Sequence, residues 1–313
     1  MTLPGLILAT AALLLHLALG LAVATLLTGP AWMLAMRRPR PRDAAGVAGL
    51  LLAPARALLT LTRTSSIRAT GSAPLSAFAP VVGLAATLAA AALVPSFCTG
   101  LLTAPLADLP TILGLLGLAR VAMLLAGFDA GIAGPGLASV SLAVRTLLAV
   151  PACALAVFTL VLACGSSNLD LALGDLAAGA GAPGLSAPVL LAAVSLGLAG
   201  VAAAVDERGL AEQLSGSDLA TFRFQSALQR LVWLDLVTAL LLPRSLVVAQ
   251  SNPLFWLLGL VCWCLRIAAG CVALTQLKRF VSTRNAQRRS LAGIAALLGL
   301  LAPLLLLVGR TAE

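Results

Sequence analysis

The stretch LPGLILATAALLLHLALGLAVATLL, residues 3–27, runs for 25 positions without a charged side chain. A helix needs about 20 residues, at about 1.5 Å each, to cross the hydrocarbon core of a bilayer. Inside lipid the backbone N–H and C=O groups must be satisfied within the segment, so such a run folds as a helix. The run has no basic leader and is long enough to span. It therefore reads as an uncleaved first helix with its N-terminus periplasmic.

Comparable runs recur near 75–95, 109–128, 139–164, 186–205, 226–249, 254–276 and 290–309. They predict an all-α polytopic membrane protein of about eight transmembrane helices, forming a single integral membrane domain over 1–313. A transmembrane β-barrel would need segments of alternating hydrophobicity, and unbroken Leu/Ala/Val runs do not supply them. Composition agrees: 61% of the 313 residues are hydrophobic, 10% are charged and the mean hydropathy is +1.08. Soluble domains have about 45–50% and about 25% respectively. A soluble globular enzyme is excluded.

The net charge of +9 does not point to nucleic acid, because the basic residues fall into three groups between apolar runs. The first holds Arg37, Arg38, Arg40, Arg42, Arg56, Arg63 and Arg68. The second holds Arg208, Arg223 and Arg230, and the third Lys278, Arg279, Arg284, Arg288 and Arg289. The connections 97–108 and 165–185 contain no Lys or Arg. Positive residues stay on the cytoplasmic side, which orients the chain in a bacterial inner membrane. Arg244 and Arg310 dissent. Trp32 and Trp256 fall at run ends, as interfacial anchors do. The basic loop 37–72 also carries Leu50, Leu51, Leu52, Leu58, Leu59 and Leu61, which predicts a cytoplasmic amphipathic helix on the membrane surface; a disordered basic loop is the alternative. GSSNLDLALGDLAAGAGAPGL (165–185) reads as a plain external loop.

Self-contained catalysis has little to work with. The six cysteines form no CxxC pair, and the one histidine, His16, lies within the first apolar run. They supply the ligands of neither a zinc nor an iron–sulfur site. Nucleotide-binding glycine motifs, HExxH and a usable Ser/His/Asp set are absent. What stands out is charge inside the spans, which is costly to desolvate and therefore a functional candidate: Arg120, Arg145, Asp235 and Arg266. Counted from the cytoplasmic helix ends, they share a level about 9–15 Å below the surface. That predicts a common polar pocket open to the cytoplasm, in which Asp235 neutralises Arg266 or Arg145. The alternative is a structural ion pair with the other arginines snorkelling.

The run PLADLPTILGLLGLARVAMLLAGFDAG (105–131), followed by GPGLAS (134–139), resembles the complex I subunit 1 family, particularly the membrane subunit 4 of formate hydrogenlyase and its hydrogenase-4 relatives. Further matches in the same order are RRPRP (37–41), APARALLTLTR (53–63), AVFTLVLACGSSNL (156–169), LSGSDLATFRFQSALQRLVWLDLVTALLLP (214–243) and LKRF (277–280). The resemblance covers nearly the whole chain. It implies a non-catalytic anchor subunit without a cofactor of its own. Its implied partners are a hydrogenase-like large subunit, a small iron–sulfur subunit and antiporter-like membrane subunits. Iron–sulfur clusters and nickel–iron would reside in those partners.

By position, Arg120 and Asp129 match the family's motif, and the loop Phe128–Gly136 would face the peripheral arm. Arm-docking candidates are Arg37, Arg38, Arg40, Gly131, Gly134, Gly136, Asp206, Glu207, Arg208, Glu212 and Asp218. Ion-pathway or coupling candidates are Arg120, Asp129, Arg145, Asp235 and Arg266. Several family acids are missing. Val140 and Ser141 come after Ser139 where the family has Arg-Glu, Val150 precedes Pro151 where a glutamate is common, and Ala273 and Leu274 stand near another lost glutamate. The cytoplasmic loop 204–225 is shortened, with AVDERGLAEQLSGSD (204–218) as its polar part. Proton relay needs titratable groups within reach, and the chain has 11 Asp and Glu in all, which predicts weakened coupling. A stand-alone small-molecule or ion transporter using the charged pocket is the competing reading. The absence of a convincing internal repeat weighs against it.

Overall fold

The computed structural model describes residues 3–28, 46–66, 75–129, 131–179, 186–204, 207–211, 214–249, 253–280 and 285–311. Long helices fall on each apolar run: α1 (Leu3–Leu27), α3 (Leu75–Leu93), α4 (Leu109–Asp129), α5 (Ala133–Cys164), α7 (Ser186–Ala202), α9 (Gly216–Leu241), α10 (Pro253–Phe280) and α11 (Asn285–Thr311). Shorter helices α2 (Gly46–Thr62), α6 (Leu169–Ala178) and α8 (Glu207–Ala211) lie between them. Among the described residues five helices, α1, α4, α5, α10 and α11, are long and apolar enough to cross a membrane. The apolar stretches of α3 and α7, Ala77–Leu93 and Ala187–Ala202, are shorter. The chain is an all-α, multi-pass membrane protein.

Helix α9 is long enough to cross but too polar to count among the five. It carries Asp218, Arg223, Arg230 and Asp235, yet most of its side chains are buried, because α1, α2, α3, α7 and α10 pack around it. It is the axis of the bundle. The outer helices present Leu and Val outward instead; Leu147 and Leu254 are more than two-thirds exposed, as suits a lipid solvent. Where α5, α7 and α11 meet, the contacts are made largely by small residues. Ala149, Ala152, Ala199, Ala203 and Ala295 join α5, α7 and α11, since backbones with small side chains approach closely enough for dispersion to hold them.

Several sequence boundaries need correction. Helix α9 starts at Gly216 rather than near 226, because Ala220, Phe222, Gln225 and Ala227 continue its buried face toward the N-terminus. It stops at Leu241, where Pro243 opens the 3-10 turn Pro243–Ser245. Much of the loop 204–225 is therefore helical. Residues 165–185 are not a plain loop, because Asn168 caps α6, its side-chain oxygen accepting from the Asp170 and Leu171 backbone N–H groups at 3.0 and 3.2 Å. Within the basic segment 37–72, α2 covers Gly46–Thr62, packs on α1 and α9, and keeps Arg56 and Leu59 exposed.

The two ends of the bundle differ. At one, Cys98–Thr99 (β1) pairs in parallel with Val247–Val248 (β2), Cys98 opposite Val247. Asp170 of α6 accepts from the Gly100 N–H with both carboxylate oxygens, at 2.9 and 3.1 Å, tying α6 to that ladder. The other end gathers α2, the turn between α4 and α5, α8 and the start of α9.

Candidate functional site

Asp235, on the buried axis, accepts a hydrogen bond from the Trp263 indole N–H of α10 at 2.7 Å and lies within the electrostatic reach of Arg266, one turn along the same helix as Trp263. Arg266 does not bond the carboxylate. Its guanidinium donates instead to the Ser245 hydroxyl at 3.0 Å and to the Ser96 carbonyl, and its Nε is buried without a partner. Ser96 extends the chain, since its hydroxyl meets His16 Nδ1 at 2.5 Å while His16 Nε2 meets the Ala91 carbonyl at 2.7 Å. A cavity of about 20 Å³ separates His16 from Asp235, room for one water. The result is a buried polar string across α1, α3, α9 and α10. Its Ser96 and Ser245 attach it to the ends of α3 and α9 that carry β1 and β2.

Arg120 stands apart. Its guanidinium lies 5.0 Å from the centre of the Trp233 ring, a cation–π stack, and its Nε is buried with no hydrogen-bond partner. Trp233 is held in turn by its own N–H to the Leu196 carbonyl at 3.0 Å, and its indole fills the space beside Gly200 that a Cβ would occupy. Two cavities share Arg120 and Trp233 as a wall. One, of about 280 Å³, lies between α7, α9 and α10; the other, of about 420 Å³, between α4 and α5. Arg145, fully buried, folds back to the Ser141 carbonyl of its own helix at 3.0 Å. Neither cavity is lined by Arg145, Asp235 or Arg266. The four intramembrane charges thus occupy three settings rather than one pocket. The depth count missed this because it fixes a level along each helix and not the direction in which a side chain points.

The arm-docking candidates among the described residues collect at the opposite end from β1. Gly131 holds a φ of +63° in the turn joining α4 to α5, a conformation that favours glycine. Gly134 and Gly136 belong to the first turns of α5, because that helix begins at Ala133; of the expected loop Phe128–Gly136, only Gly131 and Ile132 are described residues outside a helix. Glu207 and Arg208 start α8, which docks beside the turn: Leu210 packs with Met123, Leu124, Leu142 and Phe222, and Gly209 sits against Ala138. Asp218 lies in the first turn of α9, and Asp129, half-buried, closes α4. Arg37, Arg38, Arg40, Asp206, Glu212 and the expected anchor Trp32 lie outside the described residues.

Sequence reading missed Gln225 and Gln229. Their side-chain amides donate across to the Ala119 and Leu116 carbonyls of α4 at 3.3 and 2.9 Å, stitching the axis to the helix that carries Arg120. Two glutamines at i and i+4 in an apolar stretch were the available signal, since amides in lipid seek a partner on a neighbouring helix. His16 and the two tryptophans were likewise visible only as apolar-run residues. Among the described residues no group of His, Cys, Asp and Glu could hold a metal ion. Burial, with Asp170 nearby, pushes the Cys98 thiol of β1 up to about 12, so it packs as an inert apolar group.

The fold is shared with a respiratory-complex chain. That chain belongs to the membrane-bound sulfane sulfur reductase (MBS), an archaeal respiratory membrane complex; the match has a TM-score of 0.65 at 15% identity and covers 94% of this protein and 99% of the other chain. At that identity the likeness is one of fold. No family model matches the chain, and no curated protein does.

Proposed function

We propose that this protein is the membrane-anchor subunit of a multi-subunit redox complex of the hydrogenase-4, formate hydrogenlyase or complex I type. The observation that carries the reading is the end-to-end likeness of fold to a chain of a respiratory membrane complex. The ordered motif resemblance over 37–280 supports it independently. In this reading the eight long helices all span a bacterial inner membrane with the N-terminus outside, as the basic clusters favour.

The face built from α2, the Gly131 turn, α8 and the start of α9 docks a peripheral arm. The arm consists of a hydrogenase-like large subunit and a small iron–sulfur subunit, which hold the clusters and any nickel–iron. Antiporter-like subunits flank the bundle in the membrane. A tight glycine turn suits docking, because without side chains the backbone can be approached closely. The His16–Ser96–Arg266 string and Asp235 are the elements through which redox chemistry would be linked to ion movement. The chain's small number of acids, 11 Asp and Glu in all, makes that link weaker than in relatives with a full set of glutamates.

Gentle detergent purification of the tagged chain from its native host, with mass spectrometry of every protein that accompanies it, tests the assignment. Co-purification of a nickel–iron-type or quinone-reductase-like large subunit with an iron–sulfur subunit is expected. Isolation of the chain alone or as a homo-oligomer overturns the anchor reading and turns attention to solute transport.

A further inference from the structure

We infer that the gap between α4 and α5 seats a transmembrane helix of a partner subunit, and that an Asp or Glu of that helix pairs there with Arg120. Helices α4 and α5 are tied together at both ends. At one end α4 stops at Asp129 and α5 starts at Ala133. At the other, the Leu109 N–H donates to the Ser167 carbonyl and the Leu169 N–H to the Ala107 carbonyl, at 3.0 and 2.7 Å. Between these ties the helices part around a cavity of about 420 Å³, with Trp233 of α9 as a further wall. Pro151 lies within α5 between the lining residues Val150 and Cys153, and a proline inside a helix kinks it.

The lining combines room for close approach with an unmet charge. Gly117, Ala149, Cys153 and Ala154 are small, and in lipid small residues let a neighbouring helix pack closely. Val150 and Ala154 are exposed, so the cavity opens on the outside of the bundle. Arg120 is 7% exposed; its Nε is buried without a partner, and its guanidinium makes no hydrogen bond to any described residue. The Thr146 hydroxyl, across the cavity on α5, is buried without a partner as well. No carboxylate lines the cavity, and the acid that α4 and α5 do carry, Asp129, is about 14 Å along the helix from Arg120. An arginine buried at membrane depth pairs with an anion, and a carboxylate meets the guanidinium fork with two hydrogen bonds.

Depth decides where that carboxylate comes from. Arg120 is the twelfth of the 21 residues of α4, about 16 Å from one end and about 14 Å from the other. It therefore stands near the middle of a hydrocarbon core about 30 Å thick. Lipid headgroups stay at the two surfaces of that core, and acyl chains carry no charge, whereas a transmembrane helix presents an acid at any depth. A second copy of this chain offers none: α1, α3, α5, α7, α10 and α11 contain no Asp or Glu, and Asp235 is buried on the axis. The helix belongs to a different subunit, so this site rests on the multi-subunit reading proposed above.

Photocrosslinking in the complex purified from its native host tests it. p-Benzoylphenylalanine in place of Val150, 53% exposed on the rim of the cavity, is expected to crosslink to an apolar segment of another subunit that contains Asp or Glu. Arg120→Met keeps an apolar side chain against Trp233 and removes the charge. It should lower retention of the crosslinked subunit at least about 10-fold, which is about 1.4 kcal/mol. Ala154→Trp fills the cavity from its exposed edge with Arg120 in place; it should abolish the crosslink, and it decides the matter if Arg120→Met fails to fold. A crosslink to lipid alone, to a second copy of this chain or to a segment without an acid overturns the inference. So does undiminished retention of the partner by a folded Arg120→Met chain, or an undiminished crosslink in a folded Ala154→Trp chain. These outcomes leave the anchor reading standing, whereas isolation of the unmodified chain without any membrane partner overturns both.

Discussion

Trp263 of α10 donates its indole N–H to Asp235 of α9 at 2.7 Å, while Arg266, one turn further along α10, sends its hydrogen bonds away to Ser96 and Ser245. The two charges therefore feel each other without forming a bonded pair. That arrangement separates two contributions that a contact ion pair would merge: the hydrogen bond to the carboxylate, and the long-range compensation of charge in a medium of low dielectric.

The first prediction concerns that separation. Trp263→Phe removes the donor and leaves Asp235 buried and under-satisfied, at a cost of about 1–3 kcal/mol. Asp235→Asn and Arg266→Gln should each destabilise, because each leaves the other charge uncompensated. The double variant should recover part of the loss, a non-additivity of about 0.5–3 kcal/mol. Thermal unfolding of the unmodified chain, the three single variants and the double variant in detergent checks it; strict additivity would mean the charges are independent.

The second concerns the platform under Arg120. A methyl group added at Gly200 would occupy the place of the Trp233 indole, so Gly200→Ala must push the ring off Arg120 or off the Leu196 carbonyl. Overpacking of this kind costs about 1–3 kcal/mol. Gly20→Ala is the control, since nothing lies within 4 Å of a Cβ there. A lowered Tm with a shifted tryptophan emission is expected for Gly200→Ala alone.

Much of the fold was legible because lipid imposes simple rules. Run length located each long helix, and the lack of alternation excluded a barrel. What could not be read was direction. Arg120, Arg145, Asp235 and Arg266 were correctly found as buried charges, but depth along a helix does not say which neighbour a side chain faces, and the structure sends them to Trp233, Ser141, Trp263 and Ser96 respectively. The polar half of α9 was also lost to a hydropathy reading, since Gln225 and Gln229 are buried by bonding to a neighbouring backbone rather than by being apolar. Asn168 and Asp170 did carry a helix-start signal in the segment read as a loop, but the glycines around them outweighed it.

Asp170 gives a pH dependence with a definite sign. Burial raises its pKa, and the Gly100 N–H bonds only partly oppose this. A carboxyl group with a folded pKa above its unfolded value of about 3.9 binds more protons in the folded state. Its contribution to stability is therefore fully present below that value and is lost as pH rises through the raised folded pKa. Asp170→Asn, which keeps an acceptor for Gly100, should abolish this component. Tm measured across mildly acidic pH for both proteins, with the difference between them as readout, decides it; parallel curves would refute the burial effect.

The last prediction tests the docking face. Ile132, in the turn between α4 and α5, is half-exposed beside Gly131, and Phe128 of the preceding helix end is exposed to the same degree. Exposed apolar residues are ordinary on a lipid-facing surface, so exposure alone decides nothing; their position at the helix ends makes them a natural contact for a peripheral subunit. Leu106, at the β1 end of the bundle, is more exposed still and serves as its counterpart. Neither side chain is core, so a charge at either place should change the stability of the chain by no more than about 0.5 kcal/mol. If the Gly131 turn docks a redox arm, Ile132→Glu should reduce co-purification of the large subunit several-fold while Leu106→Glu leaves it unchanged. Equal retention by both variants would move the docking surface elsewhere. Equal loss by both, or a lowered Tm of either purified chain, would mean that the substitutions act through insertion or folding and would overturn the prediction.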